Sequence, residues 1–208
     1  MLTGAGRTVL LFFLTLIFSI PMGFFVTLCA ISKFKPLSAV ANVYIWIMRG
    51  TPLMLQLFFM YFILPIATRG VIMLDNFSTA TITFIMNYSA YLAEIYRGGI
   101  QSIDIGQYEA AKTLGFNGSK TMLHIIIPQT ITRVLPAICN EAITLVKDTA
   151  LISVIGAAEI LKYAKDFVVR TSNPISYLVA ACFYLFLTFI ITVFARFLER
   201  KFSKYQSR

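Results

Sequence analysis

The 208 residues are 58% hydrophobic and only 13% charged, about half the charge of an ordinary globular chain, and the mean hydropathy is +0.79. That balance excludes a soluble domain and puts most of the chain in lipid. The net charge of +9 would serve nucleic acid only on a solvated basic face, so no nucleic-acid partner is expected. Lys and Arg gathered in cytoplasmic loops account for the excess better.

A membrane helix needs about 20 predominantly apolar residues, and stretches without charged side chains mark the spans. Residues 8–32 predict the first. A cleaved signal peptide is the other reading of that stretch, since Arg7 precedes it. The run exceeds the roughly 7–15 apolar residues of such a peptide, and no small-residue cleavage site follows. The second span is placed at about 42–66, around the charge-free stretch Gly50–Thr68, with Trp46 and Arg49 at its inner end. The third is placed at 76–97, with Glu94 and Arg97 spaced to pair. The fourth covers 119–151 and is interrupted by Arg133, Glu141, Lys147 and Asp148. The fifth covers 171–196. Residues 1–208 thus read as one all-α integral membrane domain with about five spans. Cys29, Cys139 and Cys182 sit in apolar stretches and read as small core residues. His124 is the single histidine and has no companions for a metal site.

Orientation follows from the loops. With the C-terminus inside, that side takes eleven positive residues from Lys33 to Lys204 and Arg208, against five outside (Arg7, Arg69, Lys162, Lys165 and Arg170). The positive-inside rule therefore puts the N-terminus outside.

The largest inner segment holds a short helix over about 104–115. Asp104 followed by Gln107 predicts a capping box, Gly115 a left-handed stop, and Asn117-Gly118 a turn, after which Ser119 caps the next span. Ala110 and Ala111 together leave a low surface for close approach. Gly115-Phe-Asn-Gly118-Ser-Lys120-Thr121 has the flavour of a phosphate-binding loop but lacks the Gly-Lys dipeptide that motif requires. On composition alone, a linker between spans fits the segment as well as a docking knob does.

Ionisable groups inside a span are costly and by default functional. Glu141 and Asp148 are seven apart and share a helical face, so Asn140, Glu141 and Asp148 predict a polar site near mid-membrane. For Asp148 a second reading stays open, in which it lies near the outer end of the helix beside a snorkelling Lys147. A membrane enzyme would need a nucleophile and base or a metal cluster, which these residues do not supply. No catalytic residue is expected.

The order of residues adds to this. Glu109-Ala110-Ala111, Gly115 four residues on, and Ile127-Pro128 resemble the cytoplasmic signature of permease subunits in ATP-binding-cassette importers. Arg49-Gly-Thr-Pro-Leu-Met-Leu-Gln56, Ala90-Tyr-Leu-Ala-Glu94-Ile-Tyr-Arg97-Gly-Gly-Ile100, Gly106-Gln-Tyr-Glu109 and Lys147-Asp148-Thr-Ala-Leu-Ile-Ser-Val-Ile-Gly156 resemble its polar amino acid uptake branch. Ile127 stands where that family often has Leu. The resemblance covers nearly the whole chain and implies a type I importer permease fold. It implies that Glu109, Ala110, Ala111 and Gly115, with Asp104 and Gly106 at the head of the helix, make the contact with a separate ATPase. That partner would carry ATP and Mg²⁺, with no cofactor on this chain. It further implies a second permease copy, most simply a homodimer, two ATPase subunits and an external solute-binding protein in a prokaryotic cytoplasmic membrane. If Glu141 is a ligand, the excess of carboxylate favours a cationic or strongly polar amino acid. The rival is a small channel or secondary transporter that works without an ATPase.

Overall fold

The computed structural model describes residues 2–203; Lys204 and Arg208, counted above on the inner side, lie outside the described residues. Among those described, the chain forms eight helices and no strand. They are α1 Leu2–Ala30, α2 Lys35–Gly50, α3 Leu53–Ala67, α4 Asn76–Gln101, α5 Ile105–Thr113, α6 Gly118–Ile155, α7 Ile160–Thr171 and α8 Ile175–Ser203. α3 contains a π turn at Phe59–Ile63. α6 opens with a four-residue α turn and a π turn at Met122–Ile126, and closes as a 3₁₀ helix from Thr149 to Ile155.

Of these, α1, α6 and α8 are long and apolar enough to cross a bilayer alone, and α2 with α3 does so as a bent pair. α4, with 26 residues, has the length but not the apolarity. It is the helix on which the others pack, and its buried polar residues Thr79, Thr83, Asn87 and Ser89 meet protein where a lipid-facing helix would carry Leu. α1 lies along it. A β-carbon on Gly23 would come within 2.8 Å of Leu92 Cβ and 2.9 Å of Ser89 O, so only glycine permits this approach. Thr27 seals the contact by donating to Gly23 O and Ala93 O at 2.8 and 3.0 Å.

Three expectations need correction. The stretch 42–66 is not one helix: α2 and α3 meet at a 106° bend. Pro52 has no N–H and pushes the residue before it out of helical geometry, leaving Thr51 and Pro52 extended at ψ 142° and 134°. The last span begins at Ile175 rather than 171, because Ser172 takes a left-handed φ of 55° and Pro174 restarts the chain. Cys182 is exposed on α8, while Cys139 is buried.

α7, unforeseen in the sequence, is a 12-residue amphipathic helix capped by Glu159, whose carboxylate accepts from Leu161 N and Lys162 N at 2.6 and 2.5 Å. Tyr184 of α8 donates to the same carboxylate at 2.6 Å, and Glu159 is fully buried. Gly4 of α1 lies against it, since an added Cβ would be 2.9 Å from Glu159 C and 2.6 Å from Tyr163 Cδ2. At the start of α4, Asp75 accepts from Phe77 N and Ser78 N, and bonding from Ser78 holds its carboxyl below the usual carboxylate range.

Gly23→Ala should force α1 away from α4 at a cost of about 1–3 kcal/mol, seen as a lower melting midpoint of the detergent-solubilised protein. Gly98→Ala, where an added Cβ meets nothing within 4 Å, should leave the midpoint in place.

Candidate functional site

The break between α2 and α3 frees backbone groups that no water in the bilayer core can satisfy, and side chains take them. Met48 O accepts from Gln56 Nε2 at 2.9 Å and from Asn87 Nδ2 at 3.0 Å, and Asn87 Nδ2 also donates to Gln56 Oε1 at 3.0 Å. Ile47 O accepts from Thr51 N at 3.1 Å and Thr51 Oγ1 at 2.8 Å. Two amides and a threonine thus hold the two half-helices in a fixed elbow.

Beneath the elbow lies a cavity of about 430 Å³, within the usual range for small-ligand pockets. Arg49 and Thr51–Leu53 form one wall, Asn87, Tyr88 and Tyr91 of α4 the second, and Glu141, Thr144 and Asp148 of α6 the third. Tyr88 donates to Asp148 Oδ2 at 2.7 Å. Glu141 is half-buried, and among the described residues no hydrogen bond engages its carboxylate. The Arg49 guanidinium lies 5.4 Å above the Tyr91 ring and 3.6 Å from Glu94. Glu94 is itself held by Arg97 at 2.7 Å, and Arg97 also donates to Asn42 Oδ1 at 2.9 Å. Two carboxylates therefore face one guanidinium across the cavity, with an uncapped helix start at Pro52 beside it. A groove of about 460 Å³ between α7 and α8, lined by Tyr163, Phe167 and Val179 among others, lies away from this cluster.

The predicted trio is split. Glu141 and Asp148 share the cavity wall, as their spacing implied, whereas Asn140 is exposed and does not line it. Arg49, Asn87, Tyr88 and Tyr91 were assigned no role in the site by sequence reasoning. Its one available signal was Thr51-Pro52 inside an apolar run, which marks a break and so a place where polar groups gather.

The Asp104–Gly115 segment projects from one end of the bundle. Asp104 caps α5 by accepting from Gly106 N at 2.7 Å. Gln107 does not complete the expected capping box and instead accepts from Gln129 of α6 at 3.1 Å. The helix ends as expected at Gly115, φ 79°, with Gly115 N on Lys112 O and Phe116 N on Ala111 O, both at 3.0 Å, the pair of bonds that defines a Schellman stop. The next helix is capped by Asn117, which accepts from Lys120 N at 2.9 Å, rather than by Ser119. Glu109 and Ala110 are exposed together, but Ala111 is turned inward and 1% exposed. The expected low surface of two alanines is thus one alanine beside Glu109, flanked by exposed Ile105 and Leu114.

Over residues 19–204 the chain matches the family described as the binding-protein-dependent transport system inner membrane component. It is 37% identical over 201 residues to the arginine transport system permease protein ArtQ of Bacillus subtilis (strain 168), covering 96% of this chain and 91% of that protein. To the L-cystine transport system permease protein TcyB of the same organism it is 34% identical over 207 residues, covering 99% and 87%. It superposes with a TM-score of 0.89 and 36% identity on a chain of a crystal structure of an amino acid ABC transporter with histidines, covering 96% of this chain and 92% of that one. A chain of the inward-facing methionine transporter MetNI, at 16% identity, shares the fold with a TM-score of 0.73 and the same coverage of both chains.

Asn87→Leu strands Gln56 Oε1 and leaves Met48 O to Gln56 Nε2 alone, and an orphaned polar group costs about 1–3 kcal/mol. The variant should melt measurably lower in detergent than Asn76→Leu, a change at the half-buried head of the same helix.

Proposed function

Since this chain belongs to the family of binding-protein-dependent transport system inner membrane components, the all-helical permeases of ABC importers, we infer that an amino acid crosses through the cavity beneath the α2–α3 elbow and that a separate ATPase grips the Asp104–Gly115 segment. The chain is a permease subunit of the bacterial inner membrane and not itself an enzyme. It crosses the membrane five times, N-terminus outside and C-terminus in the cytoplasm. α2 and α3 form one broken span and α4 the protein-sheathed one. The working unit is two copies of this permease, two ATPase subunits that bind ATP and Mg²⁺, and an external solute-binding protein.

The observation that carries the substrate reading is opposed charge within one cavity. Arg49 and the start of α3 suit a carboxylate, and Glu141 and Asp148 suit an ammonium. A zwitterionic amino acid supplies both ends, and the surplus carboxylate favours a side chain that is polar or basic. Two relatives are named for arginine and L-cystine transport, which fits that class.

The coupling reading rests on exposure. Glu109 and Ala110 present a carboxylate beside a surface low enough for backbone approach. The Gly115 stop fixes the helix end, Asp104 and Gly106 its start, and Ala111 seats it on the bundle. When two ATPases close on ATP, the docked helix would carry α4 and α6 with it, moving the cavity between inward and outward access.

Pull-down of the tagged chain from gently solubilised membranes should bring down a P-loop ATPase stoichiometrically, and Glu109→Lys should lose it. Retention of no ATPase by the native chain would bring forward the channel or secondary-transporter reading. In vesicles holding the complete complex, Glu141→Gln should lower arginine uptake about 10–100-fold, the scale of a lost charged hydrogen bond of about 1.5–3 kcal/mol, and lower glutamine uptake less. Equal uptake of both by native and variant protein would remove Glu141 from the site.

A further inference from the structure

Toward α6, the covalent path from α5 to the cavity is compliant. It passes the Gly115 turn, a four-residue helix, the π turn Met122–Ile126 and Pro128, and α6 holds a further proline, Pro136, between Arg133 and Glu141. Such turns and proline breaks are where helices bend. A displacement of α5 along this path would be spent on local bending.

Two side chains bypass it. Gln129 and Arg133 are four residues apart on one face of α6. Arg133 donates through Nη1 to the main-chain oxygen of Ser102, the residue that closes α4, and to Ser102 Oγ at 3.2 Å. Ser102 Oγ turns back to Gly99 O at 2.7 Å. Gln129 Nε2 donates to Gln107 Oε1 in the first turn of α5 and to Ile125 O of its own helix, at 3.1 and 3.0 Å. One residue grips the entry to α5, the other its first turn. Between them α4 and α6 touch at backbone distance, where a Cβ on Gly99 would overlap Val134 Cγ1 and sit 2.9 Å from Thr130 Cγ2. Above the grip, α4 is unbroken from Gln101 back to Tyr91, Tyr88 and Asn87 of the cavity wall, with no proline inside it.

Burial does not require these bonds. Ser102, Arg133, Gln107 and the Asp104 turn are exposed, so water would satisfy the same groups at little net cost. What the bonds supply is a fixed relation between α5 and the two helices that wall the cavity.

Resting on the ATPase-docking reading above, we propose that Arg133 and Gln129 are positioning residues for energy coupling: they fasten α5 to the ends of α4 and α6 as one body. ATPase closure then reaches the cavity walls instead of being absorbed by the π turn.

The test uses the complete complex, permease with its ATPase and binding protein, in proteoliposomes, and reads ATP hydrolysed per amino acid imported. Arg133→Leu should keep the ATPase subunits on pull-down and keep hydrolysing ATP, while the ratio of ATP to substrate rises roughly fivefold or more, the low end of a typical coupling energy. Arg133→Lys, which still donates to the Ser102 carbonyl, should return the ratio most of the way to that of the native complex. A purely structural role predicts hydrolysis and uptake falling together at an unchanged ratio, and that result, or an unchanged ratio at full activity, overturns the proposal. Should Arg133→Leu not assemble, Gln129→Met decides by the same ratio. If the native complex holds no ATPase at all, the docking reading fails before the clamp is tested, and the two failures are told apart.

Discussion

A backbone broken inside a membrane must find every hydrogen bond within the protein, and here that demand falls largely on Asn87. Its amide, with Gln56, engages the carbonyl freed at the end of α2, so the elbow depends on α4 standing directly behind it. This explains why α4 is the least lipid-like of the long helices. It is surrounded by protein because its polar side chains hold the irregular piece together. With α4 so placed, Tyr88 reaches Asp148 and Tyr91 lies under Arg49, and the cavity follows from the same geometry as the elbow.

Arg49 links two parts of the molecule that the linear chain keeps apart. It shares Glu94 with Arg97, and Arg97 reaches back to Asn42 on α2. It also lines the cavity opposite Glu141. The same guanidinium therefore belongs to the ion network that binds α2 to α4 and to the polar wall where a carboxylate would arrive, so a ligand that draws on Arg49 also pulls on that network.

Much of this was legible in the sequence where a local rule operates. Charge-free runs marked α1 and α8, Asp104 and Gly115 marked both ends of α5, and the seven-residue spacing of Glu141 and Asp148 put them on one wall. What was not legible depends on partners distant in the chain. Pro52 announced a break, but nothing local gave its 106° angle, which Gln56 holds together with Asn87 of the distant α4. Gln107 left its expected capping box because Gln129, far along the chain, competed for it. Ala111 turned inward because the bundle lay on that side, a fact no helical wheel of a nine-residue segment contains. α7 was missed because its charges suited a loop, and its apolar face has meaning only against α1 and α8. The motif order, by contrast, identified the family before any geometry was known.

The seat of Gly4 against Glu159 bears on how the molecule is made. α1 is synthesised before α7 and α8, yet its opening turn rests on a carboxylate that acquires its bonds only when α7 starts to form and Tyr184 of α8 arrives. At translation rates of about 5–20 residues per second that surface does not exist until on the order of ten seconds after α1 has left the ribosome. The Gly4 turn of α1 must therefore stay uncovered until α7 and α8 have been made. Packing of α1 is thus completed late, at the end of the bundle opposite α5.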